Sequence, residues 1–170
     1  MRKYGWAALM IASVPMAGGT AAAQAAIPCR AGDGQAMLVS VDGFKERSGT
    51  LRVLTFAGPE NFGNGRPRVS RIEVPVHAGP GPVQVCVPVP AARDYAVSVR
   101  HDANGNGESD RSDGGGFSGN PRITLGQVIS RRNPDYARTR IDVARGSVVN
   151  VPITLNYLRG LSIGPVRAGR

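Results

Sequence analysis

The residues most able to do chemistry lie in one short stretch, "HDANGNGESDRSD". Counted from its first aspartate, acidic or amide side chains fall at positions 1, 3, 5, 9 and 12, with glycine at position 6. Calcium loops use this spacing because alternate side chains converge on one point, glycine allows a sharp turn, and position 7 supplies a backbone carbonyl. The stretch therefore predicts a candidate calcium site. Its residues are Asp102, Asn104, Asn106, Gly107, Glu108, Asp110 and Asp113.

The match to a calcium loop is weakest at its last position, where Asp113 replaces the usual bidentate glutamate. Two of the first three side chains are neutral asparagines, so few charges would face an ion. We therefore expect weak affinity, about 10⁻⁴ to 10⁻³ M. A second interpretation needs no ion, because Asn and Asp hydrogen-bond their own backbone and tolerate left-handed conformations. The sequence leaves both a weak calcium loop and a self-satisfied turn open.

The two histidines do not form a recognisable catalytic pattern. His101 shares one face of a predicted strand with apolar residues, so we expect a hydrogen-bonded structural histidine at the rim of the core. His77 lies on a polar position elsewhere, and the chain has no GxSxG, HExxH or CxxC motif. We predict a non-enzymatic binding module. The alternative is a metal-dependent hydrolase that uses His101 with Asp102 and Asp110.

Apolar residues alternate with polar ones along most of the chain, which is typical of half-buried β-strands. About seven such segments, separated by Gly/Pro/Asn turns, predict an all-β fold: a single β-sandwich of antiparallel strands. Pro75, Pro88 and Pro152 fall on the polar phase, so their strands are expected at sheet edges or bulges. The segments are 37–41, 50–56, 71–77, 82–89, 95–101, 139–143 and 148–157.

One long connection, residues 102–137, interrupts this pattern with a Gly/Asn/Asp-rich sequence. Loops of this length in compact domains are usually functional or disordered. Within the connection, the segment "ITLGQVIS" (123–130) is compatible with either a short strand or a helical turn. The connection therefore carries the predicted site but has no predicted secondary structure.

The first 25 residues have the pattern of a secretory signal peptide: a basic start, an apolar stretch, and small residues ending at Ala25. The apolar stretch is too short and broken for a stable membrane span. We predict an exported protein, periplasmic or secreted. The sandwich is expected to occupy residues 26–158, and residues 159–170 are expected to form a flexible basic tail.

Both cysteines, Cys29 and Cys86, follow the predicted cleavage point, and an even pair in an exported chain predicts a disulfide. Cys86 lies on the face opposite the valines of "PVQVCVPV", so we expect it to point away from the core and fasten the N-terminal segment to the domain. Closing a loop of this size contributes about 4 kcal/mol as an upper figure.

The chain is basic, with 21 Lys and Arg against 12 Asp and Glu. Leaving out the two basic residues of the predicted signal peptide gives 19 against 12, a net charge of +7. The basic residues are scattered and do not alternate with aromatic ones, as a stacking platform for nucleic acid requires. We therefore expect no nucleic-acid partner. A cell-envelope protein or polysaccharide is the expected class of partner.

The stretch "YAVSVRHDANGNGESD", followed by "GFSGNP", resembles the small exported bacterial proteins of the domain of unknown function 2141 family. The resemblance implies a transthyretin-like or immunoglobulin-like β-sandwich and no established activity. The chain departs from the family pattern in two places: the segment between Asp110 and Gly116 is shorter, and "SGN" replaces "SNN". The shortening reduces the reach expected of the position-12 ligand, Asp113. The matching residues are Tyr95, Ala96, His101, Asp102, Asn104, Asn106, Gly107, Asp110, Gly116, Phe117 and Ser118.

Overall fold

The computed structural model of the protein describes Cys29 and residues 34–166, so the predicted signal peptide lies outside the described residues. The described part is built mainly of strands, with two short α-helices and one 3₁₀ turn (Tyr136–Arg138). The helices are α1 (Gly58–Asn64) and α2 (Leu125–Ile129). The strands are β1 (Gln35–Asp42), β2 (Thr50–Ala57), β3 (Ser70–Pro75), β4 (Val83–Val89), β5 (Arg93–Asp102), β6 (Gly114–Phe117), β7 (Ile141–Val143), β8 (Val148–Thr154), β9 (Asn156–Arg159) and β10 (Ser162–Pro165).

Two sheets form the predicted sandwich. The smaller sheet has the order β4-β1-β8, and the larger runs β10-β9-β6-β5-β2-β3, with β7 also paired to β5. The all-β sandwich is confirmed, with two differences in detail. The described strands number ten rather than seven. The pairing of β1 with β8 is parallel, whereas the other described pairings are antiparallel.

The core lies between the sheets and is filled by the residues that the alternation predicts. Val39 from β1, Leu51 from β2, Val97 from β5 and Val151 from β8 are all completely buried. Tyr95 is also fully buried, and its hydroxyl donates a hydrogen bond to a backbone carbonyl four residues earlier, at 2.8 Å. A buried tyrosine that bonds to backbone upstream of it is a feature of immunoglobulin-like sandwiches.

The segment 148–157, predicted as one strand, is divided between the two sheets. The chain leaves β8 of the small sheet at Leu155 and enters β9 of the large sheet at the next residue. A turn at Gly160, which has a positive φ of 62°, then closes a hairpin with β10. The prediction of a flexible tail from residue 159 is therefore wrong for residues 162–165. These four residues contain too few alternating apolar and polar side chains to indicate a strand from the sequence.

The three prolines on the polar phase are exposed, and each lies on a strand at the edge of its sheet: Pro75 on β3, Pro88 on β4 and Pro152 on β8. Proline has no N–H to donate to a ladder, so edge positions tolerate it. The prediction of edge strands is confirmed.

None of the helices in the described residues is long and apolar enough to cross a membrane.

The predicted disulfide is present between Cys29 and Cys86, whose Cα atoms are 5.1 Å apart. Cys86 is half-buried on the outward face of β4, opposite Leu38 of β1, while Val85 and Val87 face the core. The bond therefore fastens the chain before β1 to the outer surface of the small sheet, as expected.

Helix α1 occupies a segment predicted as a turn. Its Phe62 is buried and contacts Phe56 edge-on, with ring centroids 5.7 Å apart, in a second small core on the outer face of the large sheet. Helix α2 lies within the segment 123–130, whose sequence is compatible with either a short strand or a helical turn. Thr124 and Gln127 form a capping box at its start, an arrangement that satisfies otherwise free helix N–H groups.

Candidate functional site

The predicted calcium loop leaves the end of β5 and returns into β6. Its first residue, Asp102, is only 5% exposed. One carboxylate oxygen, Oδ2, accepts the Gly107 N–H at 2.8 Å and lies 3.5 Å from the Arg100 guanidinium. The other oxygen, Oδ1, is shielded from solvent and has no hydrogen-bond partner among the described residues. The loop therefore begins with a buried carboxylate that is only half satisfied.

The next predicted ligands converge on one another. The side-chain amides of Asn104 and Asn106 donate to the same oxygen of Asp110, Oδ2, at 2.8 and 3.0 Å. Their own oxygens accept the backbone N–H groups of Asn106 and Glu108, at 3.1 and 2.8 Å. The Glu108 side chain is exposed, and the hydrogen bond that joins this residue to the group comes from its backbone N–H. The spacing thus brings positions 3, 5 and 9 together in a hydrogen-bonded turn.

Asp110 and Asp113 close the loop, and their pKa values are shifted in opposite directions. The side-chain and backbone donors of Ser112 hold the pKa of Asp110 well below its usual range. Burial raises the pKa of Asp113, and the charges of Asp110 and Asp102 add to this effect. Among the described residues, Asp113 accepts only long hydrogen bonds, from Ala103 N–H and Asp110 N–H, both at 3.4 Å. Asp113, at position 12, therefore lies near other predicted ligands, but its hydrogen bonds compensate its negative charge poorly.

Replacing Asp113 by asparagine should raise the melting temperature slightly at neutral pH when a chelator is present. Because the folded-state pKa of Asp113 is raised, its ionisation costs stability above that pKa, and the cost is absent below the ordinary value of 3.8. The gain should stay within about 0.5 kcal/mol, the usual range for surface substitutions. It should vanish near pH 3. Thermal melts from pH 3 to 7, with the exposed Asp142→Asn as control, test this. A loss of stability at pH 7 would contradict it.

His101 is a structural residue. Its side chain is completely buried, with Nδ1 2.7 Å from the Tyr157 hydroxyl and Nε2 2.8 Å from the Ser48 carbonyl oxygen. Phe44 packs edge-on against its ring. The prediction of a hydrogen-bonded structural histidine is confirmed, and the residue lies deeper than the expected rim. Since both ring nitrogens are engaged and unexposed, this geometry gives no support to a hydrolase that uses His101.

The later residues of the family motif also serve the fold. A Cβ on Gly116 would come within 2.7 Å of the Ile153 side chain, so a glycine is needed where β6 crosses the core. Phe117 contacts Phe62 of α1 on the outer face. The buried Ser118 hydroxyl accepts the Val97 N–H at 3.0 Å. None of these side chains joins the candidate calcium ligands.

A cavity of about 280 Å³ opens beside the loop on the outer face of the large sheet. Its floor includes Gly115, which pairs with Arg100 of β5 and with Asn156 of β9. Sequence reasoning missed this cavity because its walls come from segments far apart in the chain. The residues that line it are Val99, Arg100, Ser109, Asp110, Arg111, Asp113, Gly114, Gly115, Gly116, Phe117, Ile123, Val128, Asn156, Leu158 and Ile163.

Acidic ligands are few at this site. Within Cys29 and residues 34–166, no group of three or more His, Cys, Asp or Glu side chains is placed to hold a metal ion. Any cation at the loop would therefore depend on asparagine and backbone oxygens beside its carboxylates.

The fold and the loop together define a β-sandwich domain with an Asn/Asp-rich loop at the end of its central strand. A family model described as an uncharacterized protein conserved in bacteria (DUF2141) matches residues 39–150, and the chain belongs to this family. The match confirms the resemblance carried by the motif. Comparison with curated proteins and with solved structures found no match.

Proposed function

We propose that the protein is an exported, non-enzymatic β-sandwich module of the bacterial cell envelope, and that its 102–113 loop binds calcium weakly. The signal-like pattern of residues 1–25 supports export. The Cys29–Cys86 disulfide supports an oxidising compartment, where such bonds persist. A cell-envelope protein or polysaccharide is the partner class that this location offers.

The observation that carries the calcium proposal is the unpaired oxygen of Asp102. Oδ2 is occupied by the Gly107 N–H, whereas Oδ1 is shielded and has no donor among the described residues. A buried carboxylate oxygen without a partner costs free energy, which a cation would remove. Calcium suits this position because it takes oxygen ligands in a flexible geometry.

The surrounding side chains support a weak site rather than a strong one. Asn104 and Asn106 now donate to Asp110, and each would have to present its amide oxygen instead when an ion enters. Binding therefore replaces two existing hydrogen bonds, which lowers the net gain. The ion would also lessen the repulsion that Asp110 and Asp102 exert on Asp113.

Calcium would act on the neighbouring cavity through the loop. Asp110 and Asp113 belong both to the predicted ligand set and to the wall of the cavity. An ion held by Asp102, by one of these two carboxylates and by asparagine or backbone oxygens would fix this wall relative to the end of β5. We infer that the ion orders the binding surface and does no chemistry itself.

The test is a thermal melt in ~10 mM calcium against chelator, with a calorimetric titration. For a dissociation constant near 1 mM, mass action predicts about 1.4 kcal/mol of stabilisation and a rise in melting temperature of roughly 3 to 6 °C. Asp102→Asn should abolish the calcium-dependent rise, whatever its own melting temperature, and Asp142→Asn should keep it. If the unchanged protein shows neither a shift nor heat, the loop is only a turn.

A further inference from the structure

We propose that the cavity beside β6 binds the alkyl chain of a single-chain anionic amphiphile, such as a fatty acid carboxylate. The proposal does not rest on calcium. It stands on the shape of the cavity, the apolar side chains that line and surround it, and the excess of arginines on the segments that border it.

The shape follows from the glycines of β6. A Cβ on Gly114 would come within 2.5 Å of the Tyr157 ring, so this residue faces the packed core side. Gly115 points to the opposite face, where a Cβ would meet only the Val99 carbonyl oxygen at 3.6 Å. The missing side chain leaves a depression that α2, β9 and β10 surround. Its volume, about 280 Å³, lies just below the usual range for ligand pockets, which begins at about 300 Å³.

The lining is apolar where a chain would lie, with Phe117, Ile123, Val128, Leu158 and Ile163. Five large hydrophobic side chains are exposed in the described residues, and four of them lie on or next to α2 and the β9–β10 hairpin. One of the four also lines the cavity, and the other three lie on or beside segments that contribute to its lining, so exposed apolar surface is enriched on the segments that form the groove. The four are Val128, Ile129, Leu161 and Val166.

The charge of the bordering segments selects an anionic head group. Arg111 lines the cavity, and within the described part of the chain its guanidinium forms no ion pair. Residues 118–134, which carry α2, contain three arginines and no acidic residue. Arg159 directly follows the lining residue Leu158. In the lining itself, Arg100 and Arg111 balance Asp110 and Asp113. The bordering segments 99–134 and 156–163 together carry six arginines against four acidic residues, a net charge of +2 that favours an anion over a cation.

The probe is laurate, titrated below its micelle concentration into the purified protein in the presence of chelator. We expect saturable binding of one laurate per chain. Octanoate should bind at least about tenfold more weakly, because each buried methylene contributes about a factor of four. Dodecyltrimethylammonium has the same chain with a cationic head, and it should also bind at least about tenfold more weakly.

Two variants test the location of the chain. Gly115→Leu fills the floor of the cavity and should weaken laurate binding at least tenfold with a near-native melting temperature. Val128→Ser replaces an apolar side chain of the cavity wall at an exposed position of α2, where folding should tolerate the change. It therefore tests the location even if Gly115→Leu does not fold. It should weaken binding about threefold to fivefold.

The head group is tested by Arg111→Gln combined with Arg122→Gln, which should weaken laurate binding about fivefold. Arg145→Gln, on the β7–β8 turn at the other end of the sheet, should leave it unchanged. Equal binding of the cationic amphiphile, or full affinity in Gly115→Leu, would overturn the proposal. So would binding to phosphatidylglycerol vesicles without binding to free laurate, which would indicate a membrane surface. The chelator keeps these outcomes separate from those of the calcium test.

Discussion

Replacing Gly49 by alanine should lower the free energy of unfolding by more than about 3 kcal/mol, or prevent folding. The added Cβ would lie 2.0 Å from the Asp102 carbonyl oxygen and 2.8 Å from that of Ala103, and both are backbone atoms that cannot rotate away. The residue also has a positive φ of 74°, which side chains disfavour. Large losses of this kind come from a steric clash joined to backbone strain.

Gly107→Ala is the matched control, because Gly107 has nearly the same φ, 79°, but no atom within 4 Å of its added Cβ. It should lose only the cost of the left-handed conformation, about 1 to 2 kcal/mol. Urea unfolding of both variants measures the difference. Equal losses of stability in the two variants would contradict the steric clash at Gly49, because that clash is what distinguishes the two positions.

The contact at Gly49 fastens the base of the loop to the rest of the fold. The turn between β1 and β2 lies against the point where β5 ends, and Ser48 Oγ donates to the Ala103 carbonyl at 3.0 Å. The same turn provides the carbonyl that His101 contacts. An ion at the loop would therefore order its distal part, from Asn104 to Asp113, and leave the base unchanged.

The sandwich could be predicted because its buried strands alternate, but β6 could not. Three of its four residues are glycines, which carry no side chain and so give no alternation. Two of the three are required there, because Gly114 lies under the Tyr157 ring and Gly116 lies against Ile153. A segment interpreted as loop is thus a central strand of the large sheet, between β5 and β9.

The candidate site was predictable in its local part only. The spacing of Asn104, Asn106 and Asp110 predicts their convergence, and the structure brings them together. The burial of Asp102 was not readable, because it depends on packing at the strand end. The cavity was not readable either, since α2 and the β9–β10 hairpin reach it only through the fold.

Replacing His101 by leucine should cost about 2 to 4 kcal/mol, although leucine fills a similar space. The change removes both ring nitrogens, leaving the Ser48 carbonyl without this partner and the Tyr157 hydroxyl with only the Lys45 N–H, at 3.2 Å. Buried polar groups left unpaired carry the desolvation penalty that makes such substitutions costly. Equilibrium unfolding in urea measures the loss. The exposed His77→Leu is the matched control and should change stability by less than about 0.5 kcal/mol.

A double-mutant cycle with Tyr157→Phe separates the two contacts of His101. If the His101–Tyr157 bond at 2.7 Å carries much of the effect, the stability losses of the two single variants will add up to about 1 kcal/mol more than the loss of the double variant. Strict additivity would assign the loss to the Ser48 carbonyl instead. A loss below about 1 kcal/mol in His101→Leu would contradict the structural role of this histidine.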